Sequence, residues 1–325
     1  MTSDATEPPP HARLTIVLPA DRPETVHRMR AALRAQSVRD ALELVVVRWP
    51  EARRDFPCFA DDGFAAVHVL DMAPATPLPV GRAAGARAAT TPLVFFAETH
   101  AFPCPEWAEA VLDAARSGAW QVLSSSFENA NPYGAVSWAG FILDYGSFGD
   151  DLPEGEIDSA PIHKAIFRRD DLLAFGERLP AVLSAGDELP LALRARGRRA
   201  YFVPRARVAH LNARRLGLWL RGRALIGFLI GANRAERWSG ARRALYVALA
   251  PLIGPVLVWR IVPVVHRFAR TTALPRGLWP AIVLGAFARA AGESVAYAFG
   301  PVRALYERAD AYELSESVVI DGGTP

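Results

Sequence analysis

Thr91-Pro92-Leu93-Val94-Phe95-Phe96-Ala97-Glu98-Thr99-His100, followed by Ala101-Phe102-Pro103-Cys104-Pro105-Glu106-Trp107, decides the fold class. Leu93 to Phe96 is a short apolar run and reads as a buried strand. It ends abruptly in two potential ligands, Glu98 and His100. A Pro-rich turn follows, and a helix is predicted to start near Pro105 or Glu106. In open α/β sheets, ligands bind where strands end and loops begin. This is therefore the first candidate site.

Elements alternate outward from that strand. Upstream, Leu14–Leu18 is a strand ended by Pro19, and Pro23–Ala35 is a helix with Val26, Met29 and Leu33 at helical spacing. Leu42–Val47 and Ala65–Leu70 are further strands, and Val80–Ala89 is a small-residue helix leading into Leu93. Downstream come a helix over Trp107–Arg116 and a strand over Trp120–Ser124. Asn129–Ala160, polar and Gly-rich, reads as loops and edge structure over the site. A helix over Asp187–Arg196 and strand residues at Ala200–Val203 and Val208–His210 close this part. Strands alternating with helices predict a mostly parallel α/β sheet covered on both faces.

Charge is unevenly distributed along the 325 residues. Residues 1–193 carry a net charge of −11, residues 194–243 a net of +13 from 14 arginines against Glu236, and residues 244–325 a net of +1. Lys164 is the only lysine. Cys58 and Cys104 lie in no CxxC or Cys/His cluster, which points away from zinc and from a disulfide framework. Residues 1–12 read as a disordered lead with no secretory h-region, and the N-terminal part as cytoplasmic. From about Leu216 apolar runs lie between arginines. Ala244–Trp259 is broken by Pro251 and Pro255, and Leu278–Ala288 is too short to span a bilayer, which needs roughly 20 apolar residues.

These pieces, in this order, resemble a family-2 glycosyltransferase of the GT-A fold over roughly residues 13–211. Leu14–Gln36 resembles that family's opening strand and Arg-Pro-Glu-Thr helix start. Gly81–Ala89 resembles its Ala-Arg-Asn-Ala-Gly helix, and Leu93–Trp107 the strand with the Asp-x-Asp motif and the Pro-x-x-Trp helix start. Ile162–Leu172 is similar to the acceptor side, and Asp187–His210 to the closing helix and Val-Pro-x-Ala-x-Val-x-His strand. The resemblance implies a nucleotide-diphospho-sugar transferase-like domain over 13–213. A helical, membrane-associating extension over 214–311 and a tail over 312–325 follow it.

The resemblance also implies roles. Glu98-Thr99-His100 stands where Asp-x-Asp is expected, so Glu98 and His100 are the candidate ligands of Mn2+ or Mg2+, with metal-independent transfer left open. Pro19, Ala20, Asp21, Arg22, Arg48 and Arg82 are candidate nucleotide-sugar contacts. Arg48-Trp49 replaces the family's base-gripping Asp; Trp49 either stacks on a base or belongs to an ordinary surface loop. Asp21 equally suits an N-cap. Asp187 or Glu188 is the candidate base that deprotonates the acceptor, or else a pair of acids favouring a helix N-terminus. His163, Lys164, Arg168 and Arg169 fall on the acceptor side, and His210 reads as a structural histidine.

The expected function is transfer of a sugar from a nucleotide-sugar, a hexosyltransferase-like and inverting reaction, onto a glycan, lipid or lipid-linked acceptor. Its expected place is peripheral or monotopic on the inner face of a bacterial cell membrane, in polysaccharide biosynthesis. Arginines close to an anionic leaflet contribute on the order of 1 kcal/mol each. The rival expectation is a non-catalytic GT-A-like binding or assembly protein in such a pathway. Nucleic acid is not expected as a partner, because the aromatics sit among Leu and Ile, not on a stacking platform. A nucleotidyltransferase is disfavoured because Pro19–Pro23 holds no glycine for a phosphate loop.

Overall fold

The computed structural model describes residues 13–20, 22–54, 56–59, 61–158, 160–184, 188–314 and 320. The lead over 1–12, Asp21, Ala185–Asp187 and most of the tail beyond Leu314 lie outside the described residues. The chain divides into two compact units. The first holds the described residues up to Ser126 with Asp150–Ser184 and Glu188–Ala209; the second holds Phe127–Gly149 and those from His210 onward.

In the first unit the strands are β1 (Leu14–Ala20), β2 (Leu42–Arg48), β3 (Ala66–Asp71), β4 (Leu93–Phe96), β5 (Ala101–Pro103), β6 (Val122–Asn129), β7 (Gly155–Ile157), β8 (Ala165–Arg168) and β9 (Ala200–His210). They form one sheet in the order β3-β2-β1-β4-β8-β6-β9-β5, with β7 on β9. Strands β3, β2, β1 and β4 are parallel, and β8 runs antiparallel between β4 and β6. The expected α/β sheet with flanking helices is present, and its strands β1, β2 and β4 are buried apolar runs.

Helix α1 (Pro23–Arg34) starts on a proline in its first turn and buries Val26, Met29 and Leu33. Helix α2 (Leu78–Ala88) approaches the sheet through Gly81 and Gly85. A Cβ at Gly85 would stand 2.4 Å from Val17 Cγ1. Helix α3 (Trp107–Ala115) begins where the Pro-rich turn predicted it, and Trp107 Nε1 donates to Ser125 Oγ at 2.9 Å. The short helices α5 (Arg169–Leu173) and α6 (Leu179–Val182) and the helix α7 (Glu188–Ala195) follow in the chain after α4 (Ala135–Asp144), which belongs to the second unit.

Four expectations about elements change. Strand β1 does not end at Pro19 but pairs with β2 through Ala20. The Val17 carbonyl accepts from Ala97 N on the β4 side and the Ala20 carbonyl from Trp49 N on the β2 side. The Pro19 nitrogen therefore faces the β4 side, beyond Val17, where β4 pairing has stopped. A missing N–H costs nothing there. Second, Asn129–Ala160 is not only loops: it contains α4, whose Trp138, Phe141 and Ile142 are buried.

The third and fourth changes lie in the second unit, with α8 (Leu216–Arg237), α9 (Gly240–Ala248), α10 (Ala250–Thr271), α11 (Leu278–Phe299) and α12 (Arg303–Leu314). Pro251 opens α10 and does not break it, and Pro255 and Pro263 lie inside the helix. Pro251 and Trp259, whose carbonyls those two prolines leave without a helical donor, are exposed, so water can satisfy them. The run at Leu278 extends to 22 residues because Arg289 and Glu293 are accommodated within α11. Buried Glu293 accepts from Arg289 Nε at 3.0 Å, Arg234 Nη1 at 3.2 Å and Tyr297 Oη at 2.9 Å. Helices α8 and α11 touch backbone to backbone, since a Cβ at Gly292 would lie 1.9 Å from the Ala224 carbonyl oxygen. Asp144 on α4 pairs with buried Arg223 on α8.

Candidate functional site

In the first unit, the carboxyl end of β4 is held in place before any functional group appears. Glu43, fully buried in β2, accepts from Thr90 N and Thr90 Oγ1 at 2.9 Å each and from Thr15 Oγ1. These bonds fix the entry to β4. At its exit, Ala97 N donates to the Val17 carbonyl at 2.9 Å. The chain then turns through Glu98, Thr99 and His100 and re-enters the sheet as β5. Cys104 N, just past β5, donates to the Arg207 carbonyl at 2.9 Å.

His100 is buried, and burial holds its imidazole down to about 4, so it is neutral at pH 7. His163 Nδ1 lies 3.5 Å from Glu98 Oε1. Burial, followed by repulsion from Arg82, Lys164 and His100, holds His163 well below its ordinary value. The Glu98–His163 contact is therefore carboxylate to neutral imidazole. Arg82 on α2 and Lys164 are both buried. One short region thus gathers a carboxylate, two neutral imidazoles and two buried cations. A carboxylate with a neutral imidazole is a donor set that suits Mn2+, and Glu98 and His100 fit such an ion chemically. Buried guanidinium and ammonium groups favour an anion such as a diphosphate.

His163 and Lys164 join Glu98 because β8 runs antiparallel to β4. Residues just before β8 lie beside the carboxyl end of β4, whereas Arg168 pairs with Leu93 at its other end. Arg168 and Arg169 are accordingly not brought to the cluster. Arg168 donates to the Gly118 and Trp120 carbonyls, and Arg169 to the Arg87 carbonyl. Arg48 is also engaged elsewhere, in a two-pronged pair with Asp71 at 2.8 and 3.1 Å, its guanidinium over the Phe56 ring. Trp49 is buried with Nε1 donating to the Thr76 carbonyl at 2.9 Å, so it is neither a surface-loop residue nor a platform for a base. Pro19 and Ala20 end β1, Arg22 precedes α1, and Glu188 opens α7. Asp21 and Asp187 lie outside the described residues.

In the second unit His210 packs its ring on Tyr145, centroids 4.0 Å apart, with Nδ1 3.1 Å from Asn212 Oδ1. Asn212 Nδ2 donates to Asn129 Oδ1 and to the His210 carbonyl, each at 3.0 Å. That fixes the amide so that Oδ1 faces the imidazole, and Nδ1 is the ring nitrogen that donates to it. The sequence gives one weak signal for this network, the asparagines Asn129 and Asn212 at or just past strand ends.

No protein-family model matches the chain, and no curated protein matches it. Solved structures do resemble it. The mannosyltransferase PcManGT from Pyrobaculum calidifontis, in complex with GDP-Man and Mn2+, aligns with a TM-score of 0.53 at 16% identity, over 96% of this chain and 88% of that one. S. aureus TarS 1-349 in complex with UDP aligns at 0.46 and 13% identity, over 90% of this chain and 93% of that one. The fold is of the GT-A glycosyltransferase type: a sheet flanked by helices, with two apolar helices toward the C-terminus.

Proposed function

We propose that this chain is a family-2-like, inverting glycosyltransferase that moves a sugar from a nucleotide-sugar donor to a hydroxyl of a glycan, lipid or lipid-linked acceptor at the cytoplasmic membrane face. The observation that carries this reading is the cluster at the carboxyl end of β4, where Glu98 and His163 lie 3.5 Å apart beside buried His100, Arg82 and Lys164. Fold likeness to a mannosyltransferase in complex with GDP-Man and Mn2+ supports the donor class.

Glu98 and His100 would hold a divalent ion, which supplies countercharge to the leaving diphosphate. Neutral His100 offers its lone pair without first losing a proton. Arg82 and Lys164 attract and orient the diphosphate. Pro19 and Ala20, at the end of β1, and Arg22, just before α1, would contact the donor; Arg48, held by Asp71, is left out of the donor contacts. The acceptor oxygen attacks the anomeric carbon as its proton passes to the carboxylate of Asp187 or Glu188. The new carbon–oxygen bond forms on one face while the bond to the diphosphate oxygen breaks on the other. The electron pair leaves with the nucleoside diphosphate, and the configuration inverts.

Calorimetric titration with UDP, GDP and their sugars, with and without Mn2+, tests the reading. One nucleotide should bind in a Mn2+-dependent way, and Glu98→Gln and His100→Ala should each weaken it at least about tenfold. Absence of both binding and turnover across the donor panel would sink the transferase reading in favour of a non-catalytic binding protein.

A further inference from the structure

The second unit carries an outward face that its own packing does not explain. Along α11, Trp279, Val283, Phe287, Val295 and Phe299 recur at multiples of four and are all exposed, Phe299 at 76%. Ala291 fills the remaining place in that row and is exposed too. From Trp279 to Phe299 this apolar row is about 30 Å long at the helical rise. Its seam with α10 is Phe287, which packs on Gly254 while remaining exposed itself. Beyond the seam, α10 exposes Leu252, Val256 and Trp259, the last at 74%. Soluble helices turn polar residues outward; here the outward side is the apolar one.

The charge around this face has one sign. Between Glu236 and Glu293 the sequence contains eight arginines and no acidic residue. Arg242, Arg260, Arg270 and Arg276 among them are exposed. An apolar face on a segment whose full charges are all arginines up to Glu293 complements an anionic bilayer surface, into which the aromatic and aliphatic side chains enter while the guanidinium groups stay at headgroup level.

Helices α10 and α11 are each long and apolar enough to cross a bilayer by length and composition. Packing argues against crossing. The inner flank of α11 is applied backbone to backbone against α8, which carries Arg221, Arg223, Arg234, Glu236 and Arg237. A spanning α11 would draw that charged helix into hydrocarbon, at a high cost. We infer that α10 and α11 dock flat on an anionic membrane surface, through Leu252, Val256, Trp259 and the middle of the row from Val283 to Val295, with Trp279 and Phe299 at the two edges of that face because an i+4 row turns about 40° per step, and with α8 on the side away from the lipid. This rests on and deepens the membrane-face part of the transfer reading, and its failure is distinguishable from a failure of the transfer chemistry because lipid binding is read without any sugar nucleotide.

The test is co-sedimentation of the full chain with vesicles of phosphatidylcholine alone or with 30% phosphatidylglycerol (about 30%, chosen to give a strong surface charge). Binding is expected only to the anionic vesicles, and is expected to fall as salt is raised. Arg260→Gln and Arg270→Gln should each weaken it about fivefold, the factor for about 1 kcal/mol per basic residue. Leu252→Ser/Trp259→Ser should abolish it while circular dichroism stays native, since both side chains are exposed. Alkaline carbonate should release the protein from membranes. Retention after carbonate would overturn flat docking in favour of a spanning helix. Equal binding to neutral vesicles, no binding to either, or a solution dimer abolished by the same double substitution would overturn the anionic-surface assignment.

Discussion

Replacing Gly85 by alanine tests how α2 positions Arg82. The added Cβ would stand 2.4 Å from Val17 Cγ1 and 3.2 Å from a methyl of Val17 and of Val47, where ordinary contact begins at 3.4 Å. Helix or strand must therefore yield by about 1 Å, taking that ordinary contact as the limit. Neither valine can easily move, because both are fully buried in adjacent parallel strands and β-branched side chains have few rotamers. Overpacking of this kind costs about 1–3 kcal/mol, against a gain of about 1 kcal/mol from replacing glycine inside a helix. The net expectation is a loss of up to about 2 kcal/mol by the same two terms. Gly217 on α8 has nothing within 4 Å of its Cβ position, so Gly217→Ala should gain up to about 1 kcal/mol. Urea denaturation of both variants reads the difference, and nucleotide titration should show weakened binding only for Gly85→Ala, because Arg82 moves with the helix. A Gly85→Ala protein as stable as Gly217→Ala would refute the packing argument.

Three further outcomes are expected. Glu43→Ala leaves Thr90 N, Thr90 Oγ1 and Thr15 Oγ1 without their buried acceptor, and should cost about 3–5 kcal/mol in denaturant melts, with Glu43→Gln intermediate. The Arg48 guanidinium bonded to Asp71 holds that carboxyl below its ordinary 3.8. A carboxyl depressed in the folded state contributes stability that is present above the unfolded value and lost as pH falls through the folded one, so this contribution disappears below about pH 4. Carboxyl NMR titration should find Asp71 low in the native protein and raised in Arg48→Ala, whose nucleotide binding stays native. Arg168→Ala should leave nucleotide affinity within about twofold, while Arg82→Gln weakens it at least about tenfold; equal effects would contradict the separation of the two ends of β4.

The strand at Leu93–Phe96, the helix start at Trp107 and the alternation of strands with helices were legible because each follows from local rules: apolar runs, a Pro-rich stop and helical spacing. Glu98 and His100 were legible for the same reason, as polar residues that terminate a buried run. A proline's cost depends on neighbours that local pattern does not show. Pro19 stays in β1 because its nitrogen faces a side already past the last β4 pair, Pro251 opens α10 and Pro255 stays inside it. Arg289 and Glu293 hide the length of α11 in the sequence, since they pair with each other and Glu293 also pairs with Arg234 on α8.

The sequence by itself determined the α/β class, the end of a buried apolar run in a carboxylate and an imidazole, and the basic, apolar character of the later residues. Only the tertiary structure decided which cations serve that edge. Antiparallel β8 brings His163 and Lys164 to Glu98 and carries Arg168 and Arg169 away, and a cross-strand Asp71 claims Arg48. Strand direction and partner choice are set by pairings far apart in the chain, and no local pattern of residues encodes them.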